Sequence, residues 1–73
     1  MARLEIESEV TGNVWKVELT PGADVAAGDV IIILESMKME IPVEAPVAGR
    51  LVEVLVAPED QVEEDQVVAV MET

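Results

Sequence analysis

Displacing this chain by 37 positions lays one half over the other without a gap, from Leu4 over Ile41 to Ser36 over Thr73. Val10-Thr11-Gly12-Asn13-Val14 falls on Val47-Ala48-Gly49-Arg50-Leu51, and Val17-Glu18-Leu19-Thr20-Pro21 falls on Val54-Leu55-Val56-Ala57-Pro58. Val25 matches Val62, Val30 matches Val67, and Leu34-Glu35 matches Met71-Glu72. A repeat of this kind uses the same supersecondary unit twice and buries the apolar face of one copy against the other. The register therefore predicts two similar halves related by a pseudo-twofold axis. Val17 and Val54, and likewise Val30 and Val67, are expected in equivalent core positions.

The apolar residues are mostly Val and Ile, and none of the apolar runs has helical spacing, so the chain reads as all-β. Each half divides into four short strands: about Leu4–Ser8, Gly12–Leu19, Asp24–Val25 and Asp29–Leu34, then Ile41–Ala45, Gly49–Val56, Gln61–Val62 and Gln66–Met71. Thr20-Pro21-Gly22-Ala23 is a turn, with Pro21 setting φ and Gly22 supplying a permissive angle; Ala57-Pro58-Glu59-Asp60 is its counterpart. Ala27-Gly28-Asp29 and Glu64-Asp65-Gln66 form a second matched pair. The apolar positions Val14, Val17 and Leu19 break strict alternation, which predicts a bulge or strong twist near Trp15. Pro42 and Pro46 cannot donate ladder hydrogen bonds and belong at a sheet edge or a strand end.

At 73 residues, positions 1–73 are expected to form a single domain. A domain of this size buries only about 60% of its unfolded surface. With no Cys or His, disulfide staples and Cys/His metal sites are excluded. Lack of Cys fits a reducing cytoplasm, and Met1-Ala2-Arg3-Leu4-Glu5 carries neither a signal core nor a membrane span. Sixteen acidic residues against four basic ones give a net charge of −12. That charge disfavours nucleic acid and anionic membranes as partners and favours steering toward a basic surface.

The joint between the halves is Glu35-Ser36-Met37-Lys38-Met39-Glu40, entered from Val30-Ile31-Ile32-Ile33-Leu34 and left through Ile41-Pro42-Val43. Two extended runs around a short polar centre read as a β-hairpin with Lys38 at its tip. Such tips favour Asn, Asp or Gly. Two exposed methionines around one amine add nothing to turn formation, and this conflict with local chemistry marks the stretch as the candidate site. Its symmetry mate is the gap between the termini, so Lys38 and the termini are expected at opposite ends.

This hexapeptide resembles the attachment motif of biotin carboxyl carrier domains, in which the lysine between two methionines is biotinylated. The segments Gly12-Asn13-Val14-Trp15-Lys16-Val17 and Ile33 through Pro42 are similar to those of small, free-standing bacterial biotin/lipoyl attachment proteins. The resemblance covers nearly the whole chain. It implies a flattened β-barrel (a barrel-sandwich hybrid) of two four-stranded antiparallel sheets. It also implies covalent attachment of biotin to Lys38, with Met37 and Met39 presenting the lysine. The implied partners are a biotin protein ligase and the biotin carboxylase and carboxyltransferase components of a biotin-dependent carboxylase, such as an acyl-CoA carboxylase. The chain would be a monomeric carrier, not an enzyme. Lipoyl domains share the fold but usually carry Asp-Lys-Ala at the tip; lipoate on Lys38 is the first alternative, and an unmodified acidic interaction module the second. The sequence departs from longer carrier proteins in lacking an N-terminal linker and an extra protruding loop.

Other residues read as structural. Lys16, the second lysine, falls on Glu53 at a solvent-facing strand position. Trp15 falls on Val52, which favours packing on the sheet over recognition. Glu35 and Glu40 read as a charged hairpin shoulder, because Glu35 matches Glu72, where no lysine follows. The run Glu59, Asp60, Glu63, Glu64, Asp65 lacks the glycine-punctuated spacing of a Ca²⁺ loop. Without His, Cys or a glycine-rich phosphate loop, no nucleophile–base pair is at hand for catalysis.

Overall fold

The computed structural model describes residues 2–73. Eight strands form: β1 Arg3–Glu7, β2 Gly12–Val17, β3 Asp24–Val25, β4 Val30–Ser36, β5 Met39–Glu44, β6 Gly49–Val54, β7 Gln61–Val62 and β8 Val67–Glu72. They build two antiparallel four-stranded sheets, ordered β1-β8-β6-β3 and β5-β4-β2-β7. The 37-residue displacement carries β1 to β4 onto β5 to β8, and it turns the first sheet's order into the second's. The two halves are thus interleaved, each sheet taking two strands from either half. Among the described residues no helix is long and apolar enough to cross a membrane.

The irregularities repeat as faithfully as the strands. The β2–β4 ladder skips Trp15, and the β6–β8 ladder skips its mate Val52. The β4–β5 ladder skips Ile31, and the β1–β8 ladder skips Val68. The bulge expected near Trp15 is therefore present, and it occurs at equivalent places in both halves. Positive φ angles fall in matched places too. Gly22 (95°) pairs with Glu59 (79°), and Gly28 (91°) pairs with Asp65 (70°). Each lies third in a turn closed by a backbone hydrogen bond: Ala23 N to Thr20 O, Asp60 N to Ala57 O, Asp29 N to Ala26 O, and Gln66 N to Glu63 O. That is the pattern of a type II turn. Pro42 lies on the edge strand β5, where its missing N–H faces no partner, and Pro46 follows the end of that strand.

The core lies between the sheets and is built from symmetry pairs: Ile6 with Val43, Val14 with Leu51, Val25 with Val62, Ile31 with Val68, Ile32 with Ala69, and Leu34 with Met71. The expectation for the valine pairs needs correcting in degree. Val17 and Val54 are equivalent, as are Val30 and Val67, but all four are only half-buried. They are the terminal residues of their strands, and the bulges next to them hand the deepest positions to Val14, Leu51, Ile31 and Val68. Ser8 is the one buried polar side chain among the described residues; its hydroxyl donates to Val10 O at 2.6 Å and accepts from Val10 N at 3.3 Å.

The molecule measures 36 × 18 × 17 Å. The hairpin joining β4 to β5 is closed by the Ser36–Met39 pair. The mate of that pair is Thr73 with Ala2, whose backbones exchange hydrogen bonds of 3.1 and 2.9 Å. β2 leaves the hairpin end at Gly12 and leads on to Gly22 and Ala23, which bond to Leu51 beside the Arg50–Glu72 pairing. Following β2 outward from Lys38 therefore arrives at the Ala2–Thr73 pair, so the two mates occupy opposite ends.

Candidate functional site

The hairpin turn is tighter than its sequence suggests. β4 runs on to Ser36 and β5 begins at Met39, so only Met37 and Lys38 form the loop. Their φ angles are 51° and 66°. A two-residue loop with both φ positive is the type I′ turn, whose twist matches that of the strands it joins. Holding an ordinary L-residue in this region costs roughly 1–2 kcal/mol. Neither position carries the Gly or Asn that would relieve the cost. Met39, read from sequence as part of the tip, is instead the first residue of a strand.

The strand beneath the turn is held from several sides. Ser36 Oγ donates to Thr11 O at 2.8 Å, and Thr11 Oγ1 accepts from Glu64 N at 3.3 Å. Gly12 packs so close that a Cβ there would lie 2.5 Å from Glu35 O. A side chain is thereby forbidden at Gly12, as at its mate Gly49 against Glu72 O. Below these contacts Leu34 and Val14 are buried in the core. The turn is a strained tip on a stiff base.

At the tip, Met37 is 92% exposed and Met39 64% exposed. Lys38 is exposed between them and forms no ion pair; the one ion pair among the described residues is Arg50 Nε with Asp24 Oδ1 at 3.8 Å, on the other sheet. Lys16, by contrast, places Nζ 5.2 Å from the centroid of the Trp15 ring in a cation–π contact. Of the two lysines, only Lys38 presents an unengaged amine on a projecting turn. Glu35 and Glu40 lie directly across the ladder from each other and are exposed, a like-charge pairing that opposes hairpin formation.

Trp15 lies on the sheet but is more exposed than its mate. Its position in the bulge turns it away from the regular ladder, leaving it 45% exposed, while its mate Val52 is half-buried. It borders a groove of about 360 Å³ lined by Asn13, Val14, Trp15, Glu35 and Glu59. The break in alternation around Trp15 was the available signal: an aromatic at a bulge is freed from the face its neighbours share. A larger cavity of about 450 Å³ opens between β1 and β5, rimmed by Glu5, Glu7, Glu9, Glu44 and Asp65. The one hydroxyl lining it, that of Ser8, is committed to the Val10 backbone, so this cavity offers no free hydroxyl.

The model of a family described as biotin-requiring enzyme matches residues 4–71. The chain belongs to the biotin/lipoyl attachment family. It is 39% identical over 67 residues to the biotinylated protein TB7.3 homolog of Mycobacterium leprae (strain TN), covering 92% of this chain and 94% of that protein. Its fold superposes on the crystal structure of Kluyveromyces lactis urea carboxylase with a TM-score of 0.93 and 38% identity, covering 99% of this chain and 6% of that one. A single-chain, multi-domain long-chain acyl-CoA carboxylase gives a TM-score of 0.89 at 35% identity, covering 94% of this chain and 7% of that one. The chain thus spans nearly the whole of a small biotinylated relative and a small part of two large carboxylases. It is a biotin carrier domain of the carboxylase type, a non-catalytic module, with the two-sheet fold that the resemblance implied.

Proposed function

We propose that Lys38 is the covalent attachment point for biotin and that residues 1–73 act as a single carrier domain for a biotin-dependent carboxylase. The observation that carries this reading is the amine of Lys38, exposed and free of ion pairs on a two-residue turn whose supporting strand is pinned by Thr11 and Gly12. An alkylamine is mostly protonated at neutral pH and is a poor nucleophile by itself. A biotin protein ligase must therefore supply the base or the desolvation. Lys38 Nζ then displaces AMP from the biotinyl adenylate to form an amide, losing its charge. When attached, biotin supplies a ureido nitrogen that accepts carboxylate at one active site and gives it up at another. The domain contributes carriage and effective concentration. Met37 and Met39 form a soft apolar collar that seats the tip in those active sites. The carriers' partners are accordingly a ligase, a biotin carboxylase and a carboxyltransferase, with the chain monomeric and cytoplasmic; urea and acyl-CoA carboxylases among the similar structures indicate the class of reaction served.

Co-expression with a biotin protein ligase followed by intact-mass measurement tests the reading. One biotin adduct is expected, mapped to Lys38 by digestion and abolished in Lys38→Arg, whose guanidinium is not acylated at accessible pH. A lipoyl mass increment would reassign the cofactor. An unmodified chain would leave the acidic interaction module, and biotin on Lys16 would overturn the argument from the turn.

A further inference from the structure

We propose that the groove beside Trp15 is a resting seat for the ureido ring carried on Lys38 of the same chain. The proposal rests on the attachment reading above and adds a binding site to it.

The pseudo-twofold supplies an internal control. The region equivalent to the groove, in the other sheet, is made by Arg50, Leu51, Val52, Glu72 and Gly22, the mates of Asn13, Val14, Trp15, Glu35 and Glu59. Two of those five places are conservative in chemistry: buried Leu51 for Val14 and Glu72 for Glu35. The other three change, and all three changes equip the lysine-bearing sheet. It has an indole in place of an isopropyl group, a carboxylate in place of a hydrogen, and a neutral amide in place of a guanidinium. Arg50 is also taken up by its ion pair with Asp24, whereas Asn13 has no side-chain hydrogen bond among the described residues. The fold does not require the differences, since the opposite sheet folds without them.

The chemistry of the lining matches the ring. A bicyclic ureido-thioether offers two N–H donors, one carbonyl acceptor and an apolar sulfur-containing face. Glu35 and Glu59 are acceptors for the N–H groups, the Asn13 amide is a donor for the carbonyl, and the exposed part of Trp15 is an apolar platform. Glu59 is held over the groove by its turn: its N–H donates to Val14 O at 2.8 Å, and its φ of 79° costs strain that Gly22 avoids at the mate position.

The reach is sufficient. Trp15 bulges out between the Val14–Leu34 and Lys16–Ile33 pairings, two to three residues down the ladder from Ser36. At about 3.3 Å per residue this is roughly 8 Å along the strands. The four-carbon stem of the lysine together with the valeryl chain spans that distance and the turn above it. Tethering supplies an effective concentration in the mM range, so a seat of only mM affinity is about half occupied.

Trp15 is the sole tryptophan, so its fluorescence reports this groove alone. The experiment compares acrylamide quenching in the unmodified chain, the chain biotinylated on Lys38, and the chain acetylated on Lys38. The biotinylated form is expected to show a quenching constant lower by roughly 1.5-fold or more, given mM-range tethering. The acetylated form should match the unmodified one. Biotinylated E35Q/E59Q, which keeps shape but loses the charged acceptors, should return toward the unmodified value. Equal constants in biotinylated and unmodified chains, or an equal fall on acetylation, overturn the seat while leaving the attachment reading intact. Failure to form any adduct at Lys38 overturns both.

Discussion

The turn at Met37 and Lys38 stores strain that can be released without touching the amine, and Met37→Asn is the substitution that does it. Met37 sits at φ 51° and is 92% exposed, so its replacement removes almost no buried surface. An ordinary side chain in the left-handed region costs roughly 1–2 kcal/mol, and Asn, which visits that region readily, recovers part of this. A gain of about 0.5–1 kcal/mol is expected. For a domain of this length each 1 kcal/mol moves Tm by roughly 4–8 °C, so Tm should rise by about 2–8 °C. Glycine is the poorer choice, because it also enlarges the conformational freedom of the unfolded chain. Met39→Asn is the matched control. It sits in an extended strand paired with Ser36, where Asn is disfavoured, and should lower stability by up to about 0.5 kcal/mol. Calorimetric melts of the two variants beside the parent decide the matter. A Tm for Met37→Asn that is unchanged or lowered would refute the strain argument, because it would mean that the methionine gains as much from native contacts as the turn costs. On the collar reading, the stabilised variant should still be biotinylated at near the parental level but support slower carboxyl transfer by a partner carboxylase. Stability and function would then pull in opposite directions at one residue.

Val25→Ala and Val62→Ala remove the same methyl groups from buried mates in β3 and β7, and each should destabilise by about 1–2.5 kcal/mol. Urea midpoints that differ widely between the two would show that the repeat is no longer a shared core. Gly12→Ala and Gly49→Ala drive a Cβ into the carbonyls of Glu35 and Glu72, costing about 1–3 kcal/mol each. Assayed at a temperature where both remain folded, only Gly12→Ala should slow biotinylation, since only Glu35 adjoins the lysine turn. Equal rates would show that the ligase reads the turn independently of its base.

Sequence was informative wherever the repeat applied. Strand number, the bulge near Trp15, the edge position of Pro42 and the separation of Lys38 from the Ala2–Thr73 end all follow from matching two halves and asking where a period of two breaks. It was less informative about depth. Val17 and Val30 look as apolar as Val14 and Ile31, and only the bulges decide which of each pair is buried. The turn's tightness was also hidden. Met37-Lys38 lacks the Asn-Gly signature of a type I′ loop, and the ladder imposes the geometry against local preference. The exposure of Trp15 was hidden too, because its mate Val52 is the smaller and more covered of the two.

That last case shows how a pseudo-symmetric domain separates structural from functional residues. Where mates agree, as Gly12 with Gly49 or Val25 with Val62, one physical demand is met twice and no special role is needed. Where they differ, the change is conservative or solvent-facing, is closed by a local contact, or answers a further demand on one copy. Some differences are closed locally: Ser8 stands for Ala45 and satisfies its hydroxyl on Val10, and Asp29 and Gln66 clamp matching turns through Ala26 N at 2.8 Å and Glu63 N at 3.0 Å. Of the remaining differences, which also include Lys16 for Glu53, Glu18 for Leu55 and Gly28 for Asp65, four lie together on one side of the molecule. They are the Met37-Lys38 turn, Trp15, Asn13 and Glu59, contributed by β2, the β4–β5 joint and the turn before β7. Residues from such separate parts of the chain share no folding requirement that their mates lack. A ligand that starts at Lys38 and reaches back along β2 is a single demand that touches all of them.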